Sequence, residues 1–194
     1  LQLHGWLRGT FGQNAPLSLV AGLAFEQSYG RVDGDSATLA QAVAILSDLA
    51  RLPARQDLAI TGSINARGEV LTVGSVSLKA VGWWRTCVDQ GLCGTQGLVL
   101  PAANAPDLQL PEAMLRDVRA GRFHVYTVEH LEELLPLMLG RPTGRRADGK
   151  FAGDSVFGRA MRRLDRMAHR LHPARREPPK KPEDAAPDKG PQGN

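Results

Sequence analysis

The sequence predicts an α+β fold, a mixed α/β body carrying a helical, basic C-terminal extension. Three observations point to it. Apolar runs of strand length alternate with segments whose apolar residues recur every three or four positions. Gly and Pro fall at the ends of those segments and not inside most of them. Charge is split along the chain: residues 141–194 hold 14 Lys/Arg against 7 Asp/Glu, while residues 1–140 hold 10 against 13. The division follows that split, with a body over 1–140, a linker and basic helix over 141–172, and a disordered tail over 173–194.

In residues 1–31, Leu17–Ala21 and Leu23–Phe25 read as two strands before the turn Asp33-Gly34-Asp35-Ser36. Leu39, Ala42, Val43, Leu46, Leu49 and Ala50 share one helical face, and Pro53 closes that helix. Asp57–Gly62 reads as a strand. Ile64–Leu71 reads as a hairpin turning near Arg67-Gly68. A helix follows over about 77–90, with Ser77 as its cap and Gly91 beyond its end. Gly97–Pro101 is a buried-type strand. Pro111 opens a helix as its first residue, ending at Gly121. Phe123–Val128 alternates as a strand, and 129–139 is a helix closed by Gly140.

Beyond it, Arg141–Arg146 reads as linker. Ser155–Leu171 carries Val156, Ala160, Leu164, Met167 and Leu171 on one stripe. The remainder is rich in Pro and charge and almost without apolar residues, a disordered composition.

Bulk properties exclude several classes. No apolar run reaches the ~18 residues of a membrane span. The opening LQLHGWLRGTFG has no initiator Met and no apolar signal core, so the sequence is expected to be a piece of a longer protein. Cys87 and Cys93 are too few for a disulfide framework and match no zinc spacing. Reduced thiols in a cytoplasmic protein are the expectation, with no metal.

Ser36 precedes a helix, so it suits either a cap or a nucleophile. A serine nucleophile needs a base. His4, His124, His130, His169 and His172 carry no motif, and Ser36 lies outside any G-x-S-x-G elbow. Lysine is the other base known for serine, and it must be uncharged, a state favoured by burial among apolar groups. Residues 1–140 contain one lysine, Lys79, with Val76 and Trp83 nearby on its helix. Spacing alone favours a surface position for Lys79, with its stem on apolar neighbours; the role of base would require it buried.

VDGDSA, AITGSINARGEVLTVGSVSLKAVGWW, GLVLPAAN and GRFHVYTVEHLEELL occur in that order. Together they resemble the proteolytic domain of Lon, the AAA+ serine protease, in its DGDSA branch. The resemblance covers nearly all of residues 1–140 and implies a Lon-type fold. It implies a catalytic dyad of Ser36 and Lys79, 43 residues apart, with Thr61 contacting the lysine. The substrates implied are proteins or peptides, unfolded or regulatory.

The resemblance further implies a homo-oligomer, a hexameric ring. An AAA+ module would supply ATP and magnesium chemistry, since this sequence has no phosphate loop. No cofactor is expected in this chain. Two departures stand out. The usual glycine pair before the lysine segment is Gly74-Ser75, and the glutamate preceding the lysine is Leu78.

Within that scheme, backbone N–H groups near Asp35, Ser36 and Ala37 are candidate oxyanion donors, because a helix start offers unpaired donors and a positive dipole end. Asp33 fits two roles: turn chemistry, or a partner that keeps Lys79 charged in an idle state. Two readings of other classes stay open. One is a non-catalytic ring-assembly module of the same fold. The other is nucleic-acid binding through Arg159, Arg162, Arg163, Arg166 and Arg170, weakened by interspersed acids and the lack of an aromatic platform.

Overall fold

The computed structural model describes residues 2–13, 17, 19–24, 34–148 and 150–171. Phe25, Asp33 and the tail expected over 173–194 lie outside the described residues.

In chain order the elements are α1 (Gln2–Phe11), α2 (Thr38–Ala50), β1 (Leu58–Ile60), β2 (Ser63–Ile64), β3 (Val70–Leu71), α3 (Val76–Gln90) and β4 (Gly97–Pro101). A 3-10 helix (Ala102–Asp107), α4 (Glu112–Arg119), β5 (His124–Val128), α5 (Leu131–Leu139), β6 (Arg146–Ala147), β7 (Lys150–Phe151) and α6 (Val156–Leu171) follow.

A parallel sheet in the order β1-β4-β5 forms the centre. Its middle strand β4 is buried along its whole length, which is why Gly97–Pro101 lacks polar alternation. Side chains alternate across it. Val99 faces a core shared with α1, α2, α5 and α6, whereas Leu98 and Leu100 face a second core built on α3 and α4.

All six apolar positions expected to face inward on α2 are buried. The hairpin β2-β3 forms as expected, and Gly68 turns it at φ +84. That conformation suits glycine, and an added Cβ would also lie 2.7 Å from Trp6 Nε1.

The N-terminal expectation fails. Residues 2–11 are a helix, and 19–24 belong to no strand. Leu3, Leu7 and Phe11, four apart, with Trp6, form a face that joins the main core. Ser77 is not a cap: α3 starts one residue earlier, and Ser77 Oγ instead accepts the Gln109 N–H at 3.0 Å. Pro111 stands just before α4 and is not its first residue. The stretch read as linker also carries structure, since Arg146–Ala147 pairs with Lys150–Phe151.

α6 is amphipathic as expected. Val156, Phe157, Ala160 and Leu164 enter the main core. Its basic side is partly engaged within the chain. Arg159 Nε donates to Ala50 O at 2.8 Å, and Arg163 lies 3.8 Å from Asp48.

Arg55 grips Asp57 with two hydrogen bonds, 2.9 and 2.7 Å long, and also donates to Thr95 O. It thereby pins the entry of β1 to the entry of β4. The guanidinium holds the Asp57 carboxyl down to about 2 from the usual 3.8. A lowered folded-state pKa gives stability that is present above 3.8 and lost as pH falls towards 2. Because both side chains are about a third exposed, the loss is expected to be about 1–2 kcal/mol. Urea unfolding between those two pH values measures it, and Arg55→Ala should flatten the dependence.

Candidate active site

Ser36 lies in the turn that leads into α2. Thr38 closes this turn by donating both its N–H and its Oγ1 to Asp35 O, at 2.9 and 2.6 Å. The residue at the helix cap position is Ala37, with no side-chain capping bond. Ser36 is therefore not a cap, and its hydroxyl is left for another partner. The N–H groups of Asp35, Ser36 and Ala37 reach no backbone acceptor among the described residues.

Lys79 sits in the first turn of α3. That helix is docked by buried Val76, Ala80 and Cys87, and by Trp83 Nε1 donating to Gly97 O at 2.8 Å. Ser75 precedes it in the left-handed region at φ 56. A glycine would adopt this conformation without a Cβ penalty, whereas a side chain costs ~1 kcal/mol. The departure from the family's glycine pair falls on this strained position.

The fold brings these residues together. Lys79 Nζ donates to Ser36 Oγ at 3.0 Å and makes a longer contact of 3.4 Å with Thr61 Oγ1. Thr61 itself is buried. Leu78, next to Lys79 in sequence, points away and is 76% exposed. Among the described residues no ion pair includes Lys79. Asp33 lies outside those residues.

One expectation is corrected here. Lys79 is exposed, not buried. Val76, three residues earlier, takes the inward position.

Two residues of the site were not singled out from sequence. Gly62 ties the backbone of the Ser36 turn on both sides: its N–H donates to Ser36 O at 2.8 Å, and its carbonyl accepts from Leu39 N at 3.0 Å. A Cβ at Gly62 would lie 2.8 Å from Leu39 Cδ2. Gly62→Ala is therefore expected to cost about 1–3 kcal/mol and to slow any reaction at Ser36, as read by urea unfolding alongside peptide cleavage. Ser63 Oγ donates to Asp35 Oδ2 at 2.8 Å. The available signal was the Thr61-Gly62-Ser63 spacing, which places two hydroxyls on one face of an extended segment. Asp35 itself was expected to contribute its backbone, and it also contributes this carboxylate contact.

Among the described residues no group of His, Cys, Asp and Glu is arranged to hold a metal ion. No helix there is long and apolar enough to cross a membrane. Cys87 is buried and Cys93 exposed, and both are free thiols. Burial raises the Cys87 thiol, so it suits packing better than chemistry.

Comparison with known proteins bears on this constellation. The family described as Lon protease (S16) C-terminal proteolytic domain matches residues 29–141, more than half of the chain. A Lon protease homologue of Escherichia coli (strain K12) is 40% identical over 127 residues, covering 66% of this chain and 21% of the relative. A Lon protease homologue of Haemophilus influenzae is 42% identical over 125 residues, covering 64% and 21%. An archaeal Lon protease of Thermococcus kodakarensis is 34% identical over 115 residues, covering 59% and 16%.

The chain thus spans about a fifth of the length of the Escherichia coli and Haemophilus influenzae relatives. The matched region holds Ser36, Thr61 and Lys79 together with the sheet that carries them. The chain belongs to the Lon protease C-terminal proteolytic domain family.

Proposed function

We propose that this chain is a serine endopeptidase that cleaves with a Ser36–Lys79 dyad. The observation that carries the reading is the 3.0 Å contact between Lys79 Nζ and Ser36 Oγ, with Thr61 Oγ1 at 3.4 Å from the same nitrogen. These groups come from three separate segments of the chain, so local sequence does not account for their meeting.

In the proposed reaction, uncharged Lys79 takes the Ser36 proton as Oγ attacks a peptide carbonyl. The tetrahedral oxyanion is held by N–H groups of the Asp35–Ala37 turn, which have no backbone acceptor among the described residues. The C–N bond breaks, the leaving amine takes the proton from Lys79, and an ester remains on Ser36. Water, activated by Lys79, hydrolyses that ester. Thr61 orients the lysine. Because Lys79 is exposed, closure by substrate or by a second protomer belongs to the scheme: it strips water from Nζ and favours the uncharged form.

Membership of the family supports the rest of the proposal. The substrates are unfolded or regulatory proteins, the working form is a hexameric ring in the cytoplasm, and ATP-driven unfolding belongs to an AAA+ module outside this sequence. A serine-reactive fluorophosphonate probe tests the core of it. Mapping the adduct to Ser36, with no labelling of Lys79→Ala, supports the dyad. An unlabelled Ser36 in the assembled protein would favour the non-catalytic assembly module.

A further inference from the structure

Thr61, Gly62 and Ser63 are consecutive, and each holds a different part of the site. Thr61 contacts the lysine, Gly62 holds the Ser36 backbone, and Ser63 holds the Asp35 carboxylate. The segment is itself fixed, because Thr61 N donates to Val99 O at 3.0 Å on the central strand and Ser63 pairs with Leu71. Ser63 is 1% exposed. A hydroxyl buried to that degree needs a partner, and here the partner is the side chain next to the nucleophile in sequence. Asp35 is exposed, and among the described residues Ser63 is the one side chain that restrains its carboxylate.

We propose that Ser63 is a positioning residue for the nucleophile, acting through the Asp35 carboxylate; the inference rests on the Ser36–Lys79 dyad proposed above. Gly62 fixes the backbone on the C-terminal side of the turn, and the Ser63–Asp35 bond fixes the residue just before Ser36. Together they hold Ser36 Oγ 3.0 Å from Lys79 Nζ. Without the side-chain tie, the turn keeps the Thr38 bonds to Asp35 O and the Gly62 contact, but the Asp35 side chain beside Ser36 loses its anchor. A displacement of ~1 Å then carries Oγ beyond hydrogen-bond range of the base.

The test compares Ser63→Ala, Asp35→Ala, Asp35→Asn and the Ser63→Ala/Asp35→Ala double variant in the full chain. Cleavage of a fluorogenic peptide, the rate of fluorophosphonate labelling and the thermal midpoint are read for each. Ser63→Ala is expected to fold, since it removes a hydroxyl and leaves an exposed carboxylate that water can solvate. It should lower kcat about 10- to 100-fold with KM within about twofold. Asp35→Ala should match it, and the double variant should be no slower than either single one. Asp35→Asn should recover most of the rate, because the amide oxygen accepts the same bond.

Parental kcat in Ser63→Ala, with Lys79→Ala silent, overturns the inference and leaves the dyad standing. The same holds if Ser63→Ala moves only the thermal midpoint, or if Asp35→Asn is as slow as Asp35→Ala. Parental activity in Lys79→Ala removes both the dyad and the inference built on it.

Discussion

Ser36→Ala is expected to abolish cleavage of an unfolded protein, with a loss of about 10⁴-fold or more. Lys79→Ala is expected to do the same, and Lys79→Arg should not rescue it, because a guanidinium stays charged and cannot accept the proton. The double variant should be no worse than either single one, as befits two groups that act as a unit. These losses are expected without unfolding. Lys79 is exposed, and its Nζ touches only two hydroxyls among the described residues, so stability should change by less than ~1 kcal/mol. Circular dichroism melts of each variant separate the two effects. Full activity in Lys79→Ala would sink the dyad.

Trp6→Ala carries the largest expected effect on stability, a loss of about 3–5 kcal/mol. Trp6 is 2% exposed. Its ring meets Phe11 edge-on at 6.1 Å and Phe157 at 5.9 Å, and Phe157 in turn meets Phe11 and Phe151. One indole thus ties α1 to α6, Phe11 and Phe157 extend the cluster to Phe151 of the β6-β7 hairpin, and the indole edge lies over the Gly68 turn. Truncation leaves a cavity among aromatic rings that cannot close around it. Urea unfolding measures the loss, and limited proteolysis should cut earlier in α1. A change below about 1 kcal/mol would mean that α1 is a loose attachment. Labelling of Ser36 should persist in the folded fraction, since Trp6 makes no contact with the dyad.

Much of the fold was legible in sequence. The six inward residues of α2, the apolar run of β4 and the Arg67-Gly68 turn each carry a periodic or conformational signature that local physics alone enforces. The helix at α1 was missed because Leu3, Trp6, Leu7 and Phe11 are interrupted by Gly5 and Gly9, both poor helix formers. Packing of Trp6 and Phe11 against α6 overrides that local preference. The β6-β7 hairpin was missed because its two-residue strands are too short to show alternation.

The site divides along the same line. Sequence by itself determined the identities: Ser36, Thr61 and Lys79 in ordered motifs, and a helix beginning just after the serine. The tertiary structure decided the rest. It released Ser36 from capping by giving that turn to Thr38 and Asp35 O. It left Lys79 exposed, where the role of base calls for burial, and it recruited Gly62 and Ser63 to hold the turn. The physical reason is reach. Periodicity reports which face of an element is inward, but a 3.0 Å contact between residues 43 apart depends on how the elements dock. That distance is set by the sheet that positions β1 against β4, by α3 beside them, and by the ties from Gly62 and Ser63 to the Ser36 turn.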